Sequence, residues 1–474
     1  MLFNSIAYFI FLPIVVLLFY VIPHKYRWAL LLGASYYFYM SWRPEYALLI
    51  IFVTLVNYIL GKKIYNSDSS KKRKVYLWLS IISCLSVLVV FKYDKFIGET
   101  LQSVFQLFGV GFTIPALDVI LPVGISFYTF QTLSYTIDVY NKKKAVENHF
   151  GIFSLYVSFF PQLVAGPIER STRLLPQFYQ KHTFDYQQFR HGLQLILIGL
   201  FKKMVVADRL AIYVDQVFGS PQNYDGLTFI VATVFFSFQV YCDFAGYTDI
   251  AIGSAKILGF DLMQNFKRPF LAQSLTELWR RWHISLSTWF RDYLYIPLGG
   301  NRVHLSKWCW NIVFVFTLCG LWHGADWTFV LWGTIHGVGL VVERLLSSIK
   351  TFGRVIDFNR KTKHVFSIFA TFLYFNIALM IFRPNNISDA IYIINKTFTH
   401  WGELYIGSPA VFIYSLFGIL CVIALDVKQE WFDDKIKLFH NKHMIIRQFS
   451  YASIVILILM LGVFDEGQFI YFQF

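Results

Sequence analysis

The sequence predicts an all-α integral membrane protein, and composition, hydropathy and the spacing of apolar runs are the three observations behind this prediction. Of the 474 residues, 56% are hydrophobic, 20% aromatic and only 15% charged, and the mean hydropathy is +0.52. A water-soluble domain of this size would need more charged surface, so lipid is the expected solvent. Uncharged apolar runs, several near the ~20 residues needed to cross a bilayer, occupy residues 3–22, 75–91, 227–241, 308–322, 365–382, 411–425 and 451–464.

The number of membrane elements follows from these runs and from shorter ones that carry charge, such as 193–207 with Lys202 and Lys203. On hydropathy we expect roughly ten to thirteen transmembrane helices or re-entrant pieces. The first run has no basic segment before it and no small-residue cleavage site after it, and it is too long for a signal peptide. We therefore expect residues 3–22 to be retained as a membrane helix.

The net charge of +14 is compatible with nucleic-acid binding, but the distribution of the basic residues fits membrane topology instead. Basic clusters follow alternate apolar runs, at Lys25 and Arg27, at 62–74 and at 142–144. Such loops are cytoplasmic, which places the N-terminus outside the cytoplasm, and the basic loop 428–447 places the C-terminus there too. Binding of these loops to anionic lipid headgroups is compatible with this topology. No nucleic-acid partner is expected.

One continuous membrane domain, residues 1–474, is the simplest organisation, because the sequence shows no internal repeat, low-complexity tract or long linker. The five cysteines lack CxxC spacing, so neither a disulfide framework nor a zinc site is implied. Two polar islands interrupt the apolar pattern, at 166–190 and at 265–302. The second interleaves aromatic and charged residues and cannot cross lipid as an ordinary helix.

His323 is the first candidate for chemistry, since it ends an apolar run and has Gly320 and Gly324 beside it. Small neighbours leave room for a reactant to approach the ring. A charged imidazole is costly to bury, so the neutral form, which a general base requires, is expected. The alternatives are a packing histidine bonded to backbone or hydroxyl groups, and His336 on the following run as the reactive residue instead.

A second candidate is His283, within the segment LWRRWHISLSTWFRD. Helical spacing places Trp279, Trp282, His283 and Leu286 on one side of a helix. The spacing is equally compatible with an interfacial helix that has a tryptophan belt and arginines on lipid phosphates.

Two further clusters put polar groups in apolar surroundings. Asp243, Tyr247 and Asp249 belong to the segment QVYCDFAGYTD, and Gln131 belongs to a broken helix that begins LPVGISFYTFQ. Polar groups at this depth need partners or a cavity. Hydrogen bonding between helices is as compatible with the pattern as contact with a substrate.

Six motifs, taken together, resemble the membrane-bound O-acyltransferase family, and in particular its bacterial alginate and peptidoglycan O-acetyltransferase branch. They are LPVGISFYTFQTLSYTIDVY, FFPQLVAGPIER, DFAGYTDIAIG, NFKRPF, LWRRWHISLSTWFRDYLYIPLGGNR and GLWHGADWTFVLWGTIHG. The resemblance runs in order along the whole chain, with a family core at approximately 118–382. It implies a ring of tilted helices around a thin centre, with a funnel on each face and a histidine at the constriction.

By the same resemblance, His323 matches the essential histidine of the family and His283 the second polar residue of its site. We assign His323 as general base and His283 as the residue that orients it or donates to the oxyanion. We expect the His323 ring to be reachable from both faces of the membrane. Substrate contacts are assigned to Trp279, Arg280, Trp282, Ser287, Trp322, Asp243, Tyr247 and Gln131.

The expected reactants also follow from the resemblance. The donor is an acyl thioester, acetyl-CoA in particular, that enters from the cytoplasm, and the acceptor is an extracytoplasmic polysaccharide hydroxyl. No tightly bound cofactor or metal is expected. The implied location is the bacterial inner membrane, and the implied partner is a separate extracytoplasmic esterase-like transferase of the SGNH type.

The chain ends in FIYFQF after a polar break, similar to the ending found in this branch. One interpretation makes the Tyr471 hydroxyl a transient acyl carrier that passes the group to the partner. The other makes the tail an aromatic interfacial anchor.

Two rival functions remain at this point. The acceptor could be a lipid or protein hydroxyl. In a different class, Asp243, Asp249, His323 and His336 could form the pathway of a proton-coupled transporter. Transporter folds usually contain inverted repeats, and a transporter gives no reason for the WRRWH and WHG segments to occur together.

Overall fold

The computed structural model describes residues 1–111, 115, 121–164, 166–348, 360–432, 439 and 441–464. Every regular element in these residues is helical, which confirms the predicted all-α class. The chain divides into two compact units. Unit 1 comprises residues 1–195 and 250–263, and unit 2 comprises 196–249 and 264–474.

Ten helices begin in unit 1. They are α1 Ile6–Val21, α2 His24–Met40, α3 Ala47–Asn66, α4 Ser70–Leu88, α5 Asp94–Leu107, α6 Ile125–Tyr140, α7 Phe150–Ser158, α8 Phe160–Leu163, α9 Ser171–Tyr179 and α10 Tyr186–Leu200. The last of these continues into unit 2 through a π-helical segment, Phe201–Ala207. A short π-helical segment is often found at a functional site.

Ten more helices follow the π-helical segment in the described part of the chain. They are α11 Asp208–Gly219, α12 Gly226–Ile257, α13 Leu275–Arg281, α14 Ile284–Phe290, α15 Leu305–His323, α16 Trp327–Ser348, α17 Arg360–Phe382, α18 Ile387–Thr399, α19 Pro409–Trp431 and α20 Met444–Leu461. The C-terminal residues of α12 belong to unit 1 and its remainder to unit 2.

Eight helical stretches among the described residues are long and apolar enough to cross a membrane. They are Pro44–Asn66, Ser70–Leu107, Gly226–Ile257, Leu305–His323, Trp327–Ser347, Thr362–Phe382, Pro409–Trp431 and Met444–Leu461, and the shorter helix Ile6–Val21 is also apolar. Leu420 on α19 and Leu459 on α20 are 64% and 65% exposed, as expected of side chains whose solvent is hydrocarbon. The protein is therefore a multi-pass membrane protein.

The core of unit 1 contains a line of buried polar contacts between α3, α4 and α6. Ser80 donates to the Asn57 side-chain oxygen at 2.6 Å and lies 2.9 Å from the Thr136 hydroxyl. In apolar surroundings such bonds hold helices together, because a buried polar group without a partner is costly. Helix α6 is preceded by Gly124, whose φ of +74° is left-handed, so the break predicted in this segment comes before the helix.

In unit 2, α15 and α16 form an antiparallel pair that packs closely through glycines. A Cβ atom on Gly320 would lie 2.2 Å from the Phe329 carbonyl oxygen, and one on Gly333 would lie 2.2 Å from the Phe316 carbonyl oxygen. Only glycine permits this approach of two backbones. The contact fixes the position of His323 at the end of α15.

Candidate active site

Two histidines from different segments of unit 2 come together. His323 is the last residue of α15, and His283 joins α13 to α14. Their ring centroids are 6.2 Å apart with an interplanar angle of 59°. His283 is 0% exposed and His323 is 2% exposed, so both rings are enclosed by protein.

The segment around His283 is not the single helix that its spacing predicted. Helix α13 ends at Arg281 and α14 begins at Ile284, because His283 adopts a left-handed conformation with φ of 41° and ψ of 54°. This conformation is uncommon for a residue with a side chain and is found where the surroundings impose it. The one-sided face predicted for 279–286 was therefore wrong in its geometry, although Trp279, Trp282 and Leu286 are all buried.

Asn265 holds this junction in place. Its main-chain carbonyl accepts the Ile284 N–H at 2.9 Å, and its side-chain oxygen accepts the Ser285 N–H at 3.1 Å and the Ser285 hydroxyl at 2.9 Å. The first N–H groups of a helix normally need a cap from the preceding residue. Here Asn265 supplies the cap from another segment, which leaves the His283 imidazole available for the site.

Aromatic rings enclose the two imidazoles. The Phe244 ring lies 4.6 Å from His283, and the Trp322 ring lies 5.8 Å from it. Trp332 meets His323 edge-on at 5.1 Å. Burial, together with the nearby His323, lowers the pKa of His283 well below the ordinary value of 6.5. His283 is thus neutral at physiological pH, the form that can either accept or donate a proton.

The glycines beside His323 serve packing, which corrects the expectation that they leave space around its ring. Gly320 faces the backbone of α16 at Gly333, and a Cβ atom on Gly324 would lie 2.1 Å from the Phe329 ring. The space over both glycines is therefore filled by protein.

His336, the alternative reactive histidine, lies behind an aromatic layer. Its ring is 4.8 Å from Trp332 and 5.1 Å from Trp279, and it is fully buried. Neither of its ring nitrogens has a hydrogen-bond partner among the described residues. Trp332 contacts both His323 and His336. His336, the alternative that the sequence offered, is therefore close to His323 in space.

A cavity of about 780 Å³ lies next to the histidine pair and carries positive charge. It is lined by three of the predicted substrate-contact residues, Trp279, Arg280 and Ser287, and also by Arg291 and Arg344. Two residues close to the histidines also line the cavity. They are Ile284, which follows His283, and Cys319 on α15.

The cavity does not reach the imidazoles. Neither His283 nor His323 is among its lining residues, and Cys319 precedes His323 by one helical turn, about 6 Å along the axis. An open path from both faces to the ring was expected, and this cavity does not provide one. Trp279 lines the cavity and packs against Trp332, and Trp332 in turn packs against His323. These two rings therefore separate a reactant in the cavity from the His323 imidazole.

Asp243 and Tyr247 lie on α12 at a buried ion pair. The Lys203 ammonium is 2.7 Å from an Asp243 oxygen and 2.8 Å from an Asp208 oxygen, and it lies 5.3 Å from the Tyr247 ring centroid. Lys203 belongs to the π-helical segment. The two predicted contact residues therefore surround a buried cation and are not part of the cavity wall.

The remaining predicted residues lie elsewhere. Trp282 packs 5.1 Å from Phe375 within an aromatic cluster. Gln131 belongs to unit 1, where its amide donates to the Tyr156 carbonyl at 2.5 Å. Tyr471 lies outside the described residues.

Several residues of this site were not predicted from the sequence. Asn265 was present in the NFKRPF motif but was not singled out, and Phe244 and Trp332 resemble ordinary core aromatics. Lys203 could have been found as a lysine within an apolar run, since an intramembrane charge requires a partner. Its partner Asp243 was noted, but the pairing was not.

Two buried histidines whose rings meet inside a multi-pass helical protein form the kind of site that a membrane enzyme with general acid–base chemistry requires. The profile of the membrane-bound O-acyltransferase family matches residues 32–382. The chain belongs to the membrane-bound O-acyltransferase family, and it is an O-acyltransferase.

Three named relatives are similar over most of the chain. A probable alginate O-acetylase AlgI of Azotobacter vinelandii is 39% identical over 402 residues, covering 84% of this chain and 78% of that protein. A peptidoglycan O-acetyltransferase of Helicobacter pylori is 33% identical over 387 residues, covering 76% and 72%. A teichoic acid D-alanyltransferase of Streptococcus thermophilus is 28% identical over 320 residues, covering 63% and 70%.

Proposed function

We propose that this protein transfers an acetyl group from a cytoplasmic thioester, acetyl-CoA, to a hydroxyl of an extracytoplasmic polysaccharide at the bacterial inner membrane. The observation that carries this proposal is the buried pair His283 and His323 beside an arginine-lined cavity. Relatives named as alginate and peptidoglycan O-acetyltransferases favour a carbohydrate acceptor and an acetyl group.

The chemistry needs one base and a polar environment for the oxyanion. As the acceptor hydroxyl attacks the thioester carbonyl, its proton moves to the neutral His323 imidazole. The new C–O bond forms, the C–S bond then breaks, and the proton held by His323 passes to the departing sulfur, so that the thiol leaves and the neutral imidazole is restored. His283, 6.2 Å away, orients His323 or donates to the carbonyl oxygen.

The cavity fits the donor by charge. Arg280, Arg291 and Arg344 line it, and arginine is well suited to phosphate groups such as those of CoA. Residues near the start of α15 and the end of α16 form part of its wall. Arg302 and Lys307 lie at the start of α15, and basic residues at a helix end favour the cytoplasmic side. The donor therefore enters from the cytoplasm.

Two further parts of the proposal concern delivery outside the cell. A separate extracytoplasmic SGNH-type transferase takes the acetyl group to the polymer. In this delivery the Tyr471 hydroxyl is the first acceptor: it attacks the thioester carbonyl, gives its proton to His323, and passes the acetyl group on from its ester to that partner. The oxygen nucleophile of a tyrosine is suited to a transient ester. Mass spectrometry that finds no acetylated C-terminal peptide after donor addition would contradict this relay.

The direct test is transfer by the purified protein in lipid nanodiscs. Radiolabelled acetyl-CoA is supplied with alginate-type polymannuronate or with peptidoglycan fragments, each with and without the candidate partner protein. We expect label on one carbohydrate, and we expect His323→Ala to lower the rate by at least about 10²-fold. His304→Ala is the matched control, because His304 is exposed.

Several outcomes would overturn the proposal. Transfer by His323→Ala at the wild-type rate would remove the assigned base. Label on lipid or protein hydroxyls alone would change the acceptor class. Absence of transfer from acetyl-CoA to every acceptor by the wild-type protein would exclude the proposed donor and reaction.

A further inference from the structure

Asn265 has an orientation that its neighbours determine. The Ser285 N–H can only donate, so the atom that it meets at 3.1 Å must be the amide oxygen of Asn265. The Ser285 hydroxyl meets the same oxygen at 2.9 Å. The amide nitrogen, Nδ2, therefore points away from Ser285.

This nitrogen is buried and has no hydrogen-bond partner among the described residues. Asn265 is 0% exposed. A buried donor without a partner is costly, and such groups are rare in native proteins. A group that binds during turnover would compensate for this cost.

Asn265 is hydrogen-bonded to the segment that carries His283, which points to a reacting group at the histidine pair as the missing partner. Its main-chain oxygen bonds to Ile284, the residue after His283. The ring of the next residue, Phe266, lies 6.4 Å from the His283 ring and is nearly parallel to it. The amide is thus attached rigidly to the segment that carries His283, which contacts His323.

We propose that Asn265 is a catalytic residue, whose Nδ2–H groups donate a hydrogen bond to the acyl carbonyl oxygen when the acceptor hydroxyl attacks. Its Oδ1 meanwhile caps α14. A donor that is held in place before the reaction stabilises the developing oxyanion without reorganisation. This inference rests on the proposed acyl transfer and adds a second hydrogen-bonding residue to the site.

Two substitutions separate the donor role from the capping role. Asn265→Ala removes both roles. Asn265→Asp keeps an acceptor for Ser285 and, when ionised, removes the donor, whereas its protonated form has an O–H that can donate. Burial raises the pKa of a carboxyl group, so both forms are accessible in a pH titration.

The experiment measures kcat and KM for acetyl-CoA between pH 5.5 and pH 9 (about the range usable in nanodiscs). We expect Asn265→Ala to lower kcat by about 10²–10³-fold. For Asn265→Asp we expect low kcat at alkaline pH and a rise of at least about tenfold as the carboxyl group is protonated on acidification. The wild-type protein should show no such rise.

The matched control is Asn311→Asp. Asn311 is also buried in unit 2, and its amide already donates to the Leu298 carbonyl at 3.1 Å. Its pH profile should follow that of the wild-type protein.

The possible failures are distinguishable. If Asn265 serves only as a cap, Asn265→Asp will match the wild-type kcat at every pH, which would overturn the inference while leaving the proposed function intact. If the wild-type protein transfers no acetyl group at all, the proposed function itself fails.

Discussion

Asp243 lies 2.7 Å from the Lys203 ammonium, one residue before the phenylalanine that packs against His283 at 4.6 Å. A buried ion pair thus adjoins the aromatic wall of the histidine site. Helix α12 carries both Asp243 and Phe244, so the ion pair holds the register of this helix against the π-helical segment. The wall of the site depends on that register.

Replacement of Lys203 by Met should destabilise the protein strongly. It leaves Asp243 and Asp208 buried without their cation, and removal of one partner of a buried pair costs about 3–5 kcal/mol. The thermal unfolding midpoint in nanodiscs measures the effect. Lys256→Met is the control, because Lys256 is partly exposed and 3.8 Å from an exposed carboxylate. Equal midpoints for the two variants would contradict the prediction.

Substitution of the glycines between α15 and α16 should reduce both stability and activity. Gly320→Ala or Gly333→Ala brings a Cβ atom to 2.2 Å from a main-chain oxygen, and the backbone can yield only if the helices separate. Overpacking of this kind costs about 1–3 kcal/mol, and separation moves His323. Gly33→Ala is the control, since nothing lies within 4 Å of its Cβ position. A Gly320→Ala protein with wild-type midpoint and rate would show that the helices are free to separate.

Acidification should destabilise the wild-type protein through His283. Its folded-state pKa is below the ordinary 6.5, so as pH falls below 6.5 the unfolded chain binds the proton first. Stability from this group is complete above pH 6.5 and is lost below it, by up to about 1.4 kcal/mol per pH unit. His283→Gln removes the titration. Between pH 7.5 and pH 5.5 the unfolding midpoint should decrease more for the wild-type protein than for this variant. An equal decrease would contradict the prediction.

Loss of cavity arginines should weaken donor binding with little change in kcat. Each exposed ion pair contributes at most about 1 kcal/mol, so Arg280→Gln/Arg344→Gln should raise KM for acetyl-CoA by up to about thirtyfold. The effect should shrink as salt screens the charges. Lys71→Gln/Lys74→Gln makes the same charge change at exposed residues elsewhere. A similar KM increase in that control would indicate that the net charge of the protein, and not a binding site in the cavity, attracts the donor.

The fold class was predictable because a protein surface in contact with lipid requires many apolar and few charged residues, and the composition shows both. Six of the seven long apolar runs overlap helices long and apolar enough to cross a membrane, and the first forms the shorter apolar helix Ile6–Val21. The WHG and RRWH segments contain the two histidines that meet in unit 2. These features are local in sequence, or belong to motifs shared with relatives.

The geometry around the histidines was not predictable in the same way. A face predicted from residues three and four positions apart assumes a continuous helix. The break at His283 depends instead on hydrogen bonds to Asn265 in another segment. The use of Gly320 depends on the backbone of α16, and the role of Asp243 depends on Lys203. Each outcome rests on a partner distant along the chain.

The left-handed backbone at His283 has a practical consequence for engineering. Glycine or asparagine adopts this conformation at lower energy than histidine does, by an amount on the order of 1 kcal/mol. In laboratory evolution for heat resistance the backbone energy therefore favours replacement at this position while the loss of the buried ring opposes it, and by the proposed role of His283 a replaced protein would lose activity. Selection for heat resistance in this enzyme should always be paired with selection for turnover.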